Sequence, residues 1–204
     1  MAVIHEATLT PGKLDAISAW LPGQPWSGVP VDTALEQVAR FRFDDPDGEV
    51  GVETYLVRAV DGPVLHVPLT YRGAPLAGAE GFLVTEMQHS VLGRRWVYDA
   101  VGDPVYADVL RRAIATGGHE AELHRASGSG TYEKEGRASG NGTDTDSPTV
   151  TDVAAHTTGT VTTITTGQGA LAVLRVLGSD VPTGTTLTAG WADDGAAVVA
   201  VLLP

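Results

Sequence analysis

Between residues 38 and 100 the sequence alternates strand-like runs with turn chemistry, and this forces an antiparallel sheet. In V-A-R-F-R-F, residues Ala39, Phe41 and Phe43 fall on one face of a strand and Arg40 and Arg42 on the other. D-D-P-D-G at 44–48 is turn chemistry, because Asp, Pro and Gly each favour a reversing backbone. Residues 50–60 and 63–71 read as two more strands joined by a tight Asp61-Gly62 turn. Residues 81–92 and 94–100 form a further pair around Gly93.

Two helices fit around these strands. Thr10-Pro11 reads as N-cap and first helical residue, with Leu14, Ile17 and Leu21 as an apolar stripe and Pro22-Gly23 as the stop. Asp103-Pro104 repeats the start signal. Val105, Val109, Leu110, Ala113 and Ile114 supply the second apolar face, which Gly117-Gly118 closes.

Residues 126–148 are rich in Ser, Gly, Thr and Asp and read as a flexible linker or long loop. Beyond them, T-V-T-T-I-T-T, A-L-A-V-L-R-V-L, T-T-L-T-A-G-W and A-A-V-V-A-V-L-L read as four strands. The first is half exposed by its threonines, and the last is apolar on both faces and therefore central. The expected class is α+β, with an α+β domain at 1–125, the linker at 126–148 and a β-rich region at 149–204.

Charge and composition exclude several functions. The net charge of −12 argues against a nucleic-acid or anionic-membrane partner, because phosphate binding needs a basic footprint, although eleven arginines leave room for a local patch. It has no cysteine, so disulfides, thiolate zinc sites and thiol catalysis are ruled out. M-A-V-I-H-E shows no basic region followed by an apolar run, and no stretch is long and apolar enough to span a membrane, so a cytoplasmic location is expected.

No metal site or cofactor is expected. His119 and His124 are spaced i, i+5, about 140° apart on a helix and on opposite faces of a strand, unlike the i, i+4 zinc pair. D-D-P-D-G-E and D-T-D-S lack the alternate ligands and closing glutamate of a calcium loop. Asn141-Gly142-Thr143 is formally a glycosylation acceptor but lacks a secretion signal, and S-G-S-G is not a nucleophile elbow.

The richest chemistry lies in Glu86–Leu110. On a strand, Arg95, Val97 and Asp99 share one face and Arg94, Trp96 and Tyr98 the other. Arg95 and Asp99 are placed to pair along the strand or to meet an anionic ligand. Trp96 and Tyr98 either stack on a sugar ring or fill the core. His89 reads as a hydrogen-bonded structural histidine. Arg94, Arg95, Trp96, Tyr98, Asp99 and His89 are thus the candidate ligand- or partner-binding residues, with no catalytic residue assigned. Asp99, Asp103 and Asp108 are the carboxylates that a glycan-cleaving alternative would use.

The blocks A-V-I-H-E-A-T-L-T-P (2–11), A-R-F-R-F-D-D-P-D-G-E-V-G-V-E-T-Y-L-V (39–57), H-S-V-L-G-R-R-W-V-Y-D-A (89–100) and D-P-V-Y (103–106) resemble the N-terminal cap of actinobacterial maltokinases over roughly residues 1–124. The resemblance implies a cystatin-like curved antiparallel sheet on a helix, placed before a eukaryotic-kinase-like catalytic region, with an architectural or regulatory role. The last 50 residues resemble a remnant of the kinase N-lobe. The phosphate-binding lysine of that lobe falls at Ala172, or at Arg175 in a shifted register. No H-R-D or D-F-G pattern occurs before Pro204, so phosphoryl transfer by this chain alone is not expected.

The expectation is therefore a non-catalytic accessory or binding protein of maltose, trehalose or glucan metabolism. Its partner would be a kinase, a glucan-metabolism enzyme or a second copy of itself. The alternative is a binding protein for a phosphosugar or nucleotide.

Overall fold

The computed structural model describes residues 2–4, 8–125, 134–192 and 195–204. In chain order, β1 is Ala2–Ile4, β2 Leu9–Thr10 and α1 Lys13–Trp20, followed by β3 Leu35–Phe43, β4 Gly51–Ala59 and β5 Val64–Arg72. Next come β6 Leu83–His89, β7 Gly93–Asp99, α2 Pro104–Ala115, β8 Leu123–Arg125 and β9 Arg137–Gly140. The C-terminal part adds β10 Ala154–Thr158, β11 Val161–Thr166, β12 Gly169–Leu174, β13 Thr185–Trp191 and β14 Gly195–Leu202.

These strands form two six-stranded antiparallel sheets and a small parallel pair, β1 with β8. The first sheet runs β2-β6-β7-β5-β4-β3 and curls into a half-barrel; the second runs β10-β11-β12-β14-β13-β9. The class is α+β with mostly strands, as the alternation requires. β14 lies inside its sheet, and its Val199, Ala200 and Val201 are fully buried.

The first sheet is covered on both faces. On one, Ile17 of α1 and Leu21 just after it pack with Tyr55, Val57, Val67, Met87 and Val97. On the other, Phe41, Val52 and Leu56 meet Leu110 and Ile114 of α2 together with Ile164, Leu171, Leu187 and Val199 of the second sheet. One apolar core therefore runs from the first sheet through α2 into the second. The backbone joins them as well: Leu65 bridges Val176, and the N–H of His66 donates to the carbonyl of Arg175 at 2.9 Å.

α2 starts as expected, with the Asp103 carboxylate accepting the Val105 N–H at 3.0 Å and Pro104 in the first turn. α1 does not. Thr10 pairs with Gln88 as part of β2, so the helix starts only at Lys13, with Gly12 as an N-cap that makes no side-chain bond. The sheet's need for an edge partner overrode the local cap signal. In the β4–β5 turn it is Asp61, not Gly62, that takes the left-handed backbone, at φ 59°.

Part of the expected linker, 126–133, lies outside the described residues. Residues 134–148 differ from that expectation. They contain β9, which pairs with β13, and a run that closes the end of α2. Gly142 N–H donates to the Ile114 carbonyl at 3.0 Å and Asp144 N–H to that of Ala115 at 2.9 Å. A Cβ on Gly142 would lie 2.1 Å from the Ala115 carbonyl oxygen, and one on Gly140 2.0 Å from that of Ala113. The glycines allow close approach to otherwise unpaired helix carbonyls. β10 was not anticipated from the sequence.

Candidate functional site

The six candidate residues, five on β7 and His89 at the end of β6, are separated by face and by depth. The alternation of β7 sends Val97 into the α1 core, and its N-terminal end emerges at the β6–β7 turn. Arg94 is exposed and Trp96 half-buried, whereas Tyr98 and Asp99 are buried. The six do not converge on one cavity.

At the outer end, Arg94 pairs across the strands with Glu86, and its guanidinium lies 4.9 Å from the centre of the Trp96 ring. This is a cross-strand ion pair stacked on an aromatic face. Arg95 donates to the Leu92 carbonyl at 3.0 Å. The Nδ1 of His89 accepts the N–H groups of Val91 at 3.2 Å and Leu92 at 3.1 Å, so this histidine shapes the turn. Val91 and Leu92 at the tip are exposed.

The inner end is structural. Tyr98 accepts the Leu76 N–H at 2.9 Å on its hydroxyl. Asp99 does not pair with Arg95. Its carboxylate receives a two-pronged bond from Arg175, at 3.0 and 2.6 Å. Arg175 also donates from Nε to Thr162 at 2.8 Å and lies 4.9 Å from the Trp26 ring centre. At 1% exposure Arg175 is among the largest fully buried side chains. A guanidinium that deep needs a matching carboxylate fork. Ala172, the other position compared with a phosphate-binding lysine, is packed with Leu174 and Val201.

His66 lies beside this pair, with Nδ1 3.0 Å from the Leu174 carbonyl. Burial, reinforced by the Arg175 charge, pushes its pKa down to about 3, so it is neutral at pH 7. Sequence reasoning missed His66 and Thr162. The available signal was the lone arginine in L-A-V-L-R-V-L, since a buried charge demands a partner.

The other carboxylates considered for hydrolysis are also engaged. Asp103, fully buried, takes a fork from Arg72 with both contacts at 2.6 Å besides capping α2. Asp108 accepts the Val150 N–H at 2.8 Å and lies 3.6 Å from Arg112. Among the described residues no cluster of His, Asp or Glu is arranged to hold a metal ion, and the side chain of His124 lies outside them. A cleft of about 500 Å³ lies between the β3–β4 turn, α2 and residues 118–122, with Phe43, Val109, Arg112, Ala113 and His119 among its lining residues. None of the six candidates lines it.

Among the described residues no helix is long and apolar enough to cross a membrane. No curated protein matches the chain. Residues 20–103, from the last residue of α1 to the N-cap of α2, match the family model described as the maltokinase N-terminal cap domain. That span holds β3 to β7, including the Asp99 and Arg94 ends of the candidate strand. Residues 20–103, which carry β3 to β7 of the curled sheet, are thus a domain of the maltokinase N-terminal cap family.

Proposed function

We propose that the protein is a non-catalytic accessory module that docks on a carbohydrate-active partner, a kinase or a glucan-metabolism enzyme, in the cytoplasm. One observation carries this reading. The groups best suited to chemistry are consumed by the fold, with Asp99 held by Arg175 and Asp103 by Arg72 and the α2 N-terminus. A carboxylate locked in a two-pronged ion pair cannot also serve as general acid or nucleophile without breaking that pair. The exposed end of the β6–β7 hairpin, with Arg94 stacked on Trp96 beside Val91 and Leu92, has the arginine and aromatic character of a protein contact.

The test is affinity purification of the tagged protein from its native organism, alongside the Arg94→Glu/Trp96→Ala variant. The expected result is a kinase or glucan enzyme retained by the parent and lost by the variant. Recovery of no such enzyme, or equal recovery by both, overturns the reading. Retention of a second copy of this chain alone would assign the hairpin to self-association instead.

A further inference from the structure

A shallow groove of about 390 Å³ lies between the start of α1 and β3, with Lys13, Asp15, Gln37, Arg40 and Tyr55 among its lining residues. Gln37 and Arg40 are an odd number of residues apart and would face opposite ways on a regular strand. A register shift between Gln37 and Ala39 changes this. Gln37 pairs with Val57 and Arg40 with Tyr55, two residues apart on β4, so both side chains share the α1 face. Bulges that re-aim a side chain recur beside binding sites.

The two side chains hold one carboxylate. Glu135 accepts from Gln37 Nε2 at 2.5 Å and from Arg40 Nε at 3.1 Å, with Arg40 Nη2 at 2.9 Å. The guanidinium thus holds one carboxylate oxygen, Oε1, through both nitrogens and the amide holds the other, Oε2, an oxyanion site filled from within the chain. Glu135 and Arg40 are 43% and 36% exposed, so water can enter and the pair itself adds little stability. Burial by itself lowers the Arg40 pKa, but Glu135 together with Tyr55 and Glu53 outweighs it, so the net shift is up and the guanidinium stays charged. Across the groove Lys13 pairs with Glu53 at 2.5 Å and lies over the Tyr71 ring, 4.9 Å from its centre.

The segment carrying Glu135 is anchored independently of it. Lys134 pairs with Glu120 at 2.7 Å, and β9 begins at Arg137. A Cβ on Gly136 would lie 3.0 Å from the Arg40 carbonyl oxygen, so the backbone already lies against β3. The Glu135 side chain can swing away while its backbone stays in place.

We propose that Gln37 and Arg40 form a binding site for the carboxylate or phosphate group of a small ligand, and that Glu135 occupies it as a tethered competitor. The site lies apart from the β6–β7 hairpin and does not depend on the function proposed above. A tethered competitor lowers apparent affinity through its high local concentration, so its removal raises affinity about tenfold.

The experiment titrates inorganic phosphate and, separately, glutarate into the full chain and Glu135→Gln by calorimetry, while following the Arg40 Nε–H resonance by NMR. Glu135→Gln should bind one or both probes about tenfold more tightly than the parent, and adding Arg40→Ala should abolish the gain. Phosphate alone, or glutarate alone, identifies the group the site accepts. No gain in Glu135→Gln, or a gain that survives Arg40→Ala, overturns the proposal. If Glu135→Gln does not fold, the parent decides: the Arg40 resonance must move on saturation with a probe, and a resonance that stays fixed overturns the site.

Discussion

Two arginine–carboxylate pairs mark the opposite ends of β7, and they teach opposite lessons from the same chemistry. Arg175 and Asp99 are 1% and 7% exposed, aligned as a fork and supported by Thr162. Arg94 and Glu86 are 53% and 41% exposed and lie across a two-stranded tip. Charges as deep as the first pair cost several kcal/mol each to desolvate, so their joint formation adds little net stability, yet the loss of either strands the other. In the second pair water competes for both partners and the bond is worth about 0–1 kcal/mol. One pair fixes how the second sheet meets the first; the other leaves its arginine free to exchange partners.

The sharpest way to break this contrast is to remove one member of the inner pair. Asp99→Ala or Arg175→Ala should destabilise the protein by about 3–5 kcal/mol in urea denaturation, with a fall in midpoint and little change in slope. The paired replacement Asp99→Leu/Arg175→Met should recover most of this, because neither charge is then left alone. A loss under about 1 kcal/mol in both single variants would mean that the inner pair is solvated in solution. Asp103→Ala tests a second buried fork and should cost about 2–3 kcal/mol, since it removes the α2 cap and leaves Arg72 unpaired. Asp103→Asn keeps an N-cap acceptor and should recover about 1 kcal/mol of that by thermal melting.

Acid should expose the inner end next. His66 takes a proton in the folded protein only near pH 3, against about 6.5 when unfolded. Between these values the unfolded chain binds the extra proton, so stability is complete above about pH 6.5 and falls as the pH drops toward 3. From pH 7 to 5 the loss from this residue should be about 2 kcal/mol. Denaturation of His66→Gln at the two pH values should show a smaller difference than the parent. An equal difference would place the acid response elsewhere. Glu53 does not act in this window: burial would raise its pKa, but Lys13 with Arg42 and Tyr55 outweighs it and the net shift is down, so its contribution is lost only at lower pH.

These contrasts also show what the sequence could and could not announce. Strands β3 to β7 and α2 were legible because period-two alternation and an Asp-Pro cap are local signals. The shared face of Arg94 and Trp96 was legible from the alternation, whereas the pairing of Arg94 with Glu86, eight residues away on the same hairpin, was not read. The pairing of Asp99 was not legible, because its partner lies 76 residues along the chain and no local rule connects them. Residues 134–148 were misread for a different reason. The Gly and Ser content that marks a flexible segment is also what close packing on α2 requires, and composition does not distinguish the two. Thr10 carried a true cap signal, but pairing with β6 took precedence.

The smallest expected effect is the most useful for function. Arg94→Ala, Glu86→Ala and the double variant should each stay within about 0.5–1 kcal/mol of the parent, with a coupling below about 1 kcal/mol in the double-mutant cycle. Such variants keep the fold while removing the exposed charge above Trp96, so any change in partner binding reports on the contact itself. A coupling of several kcal/mol would erase the distinction between the two ends of β7 and make the hairpin tip part of the scaffold. A small coupling joined to a clear loss of partner capture would place recognition at the exposed end, in an arginine whose own pair contributes little to stability and is therefore easily exchanged.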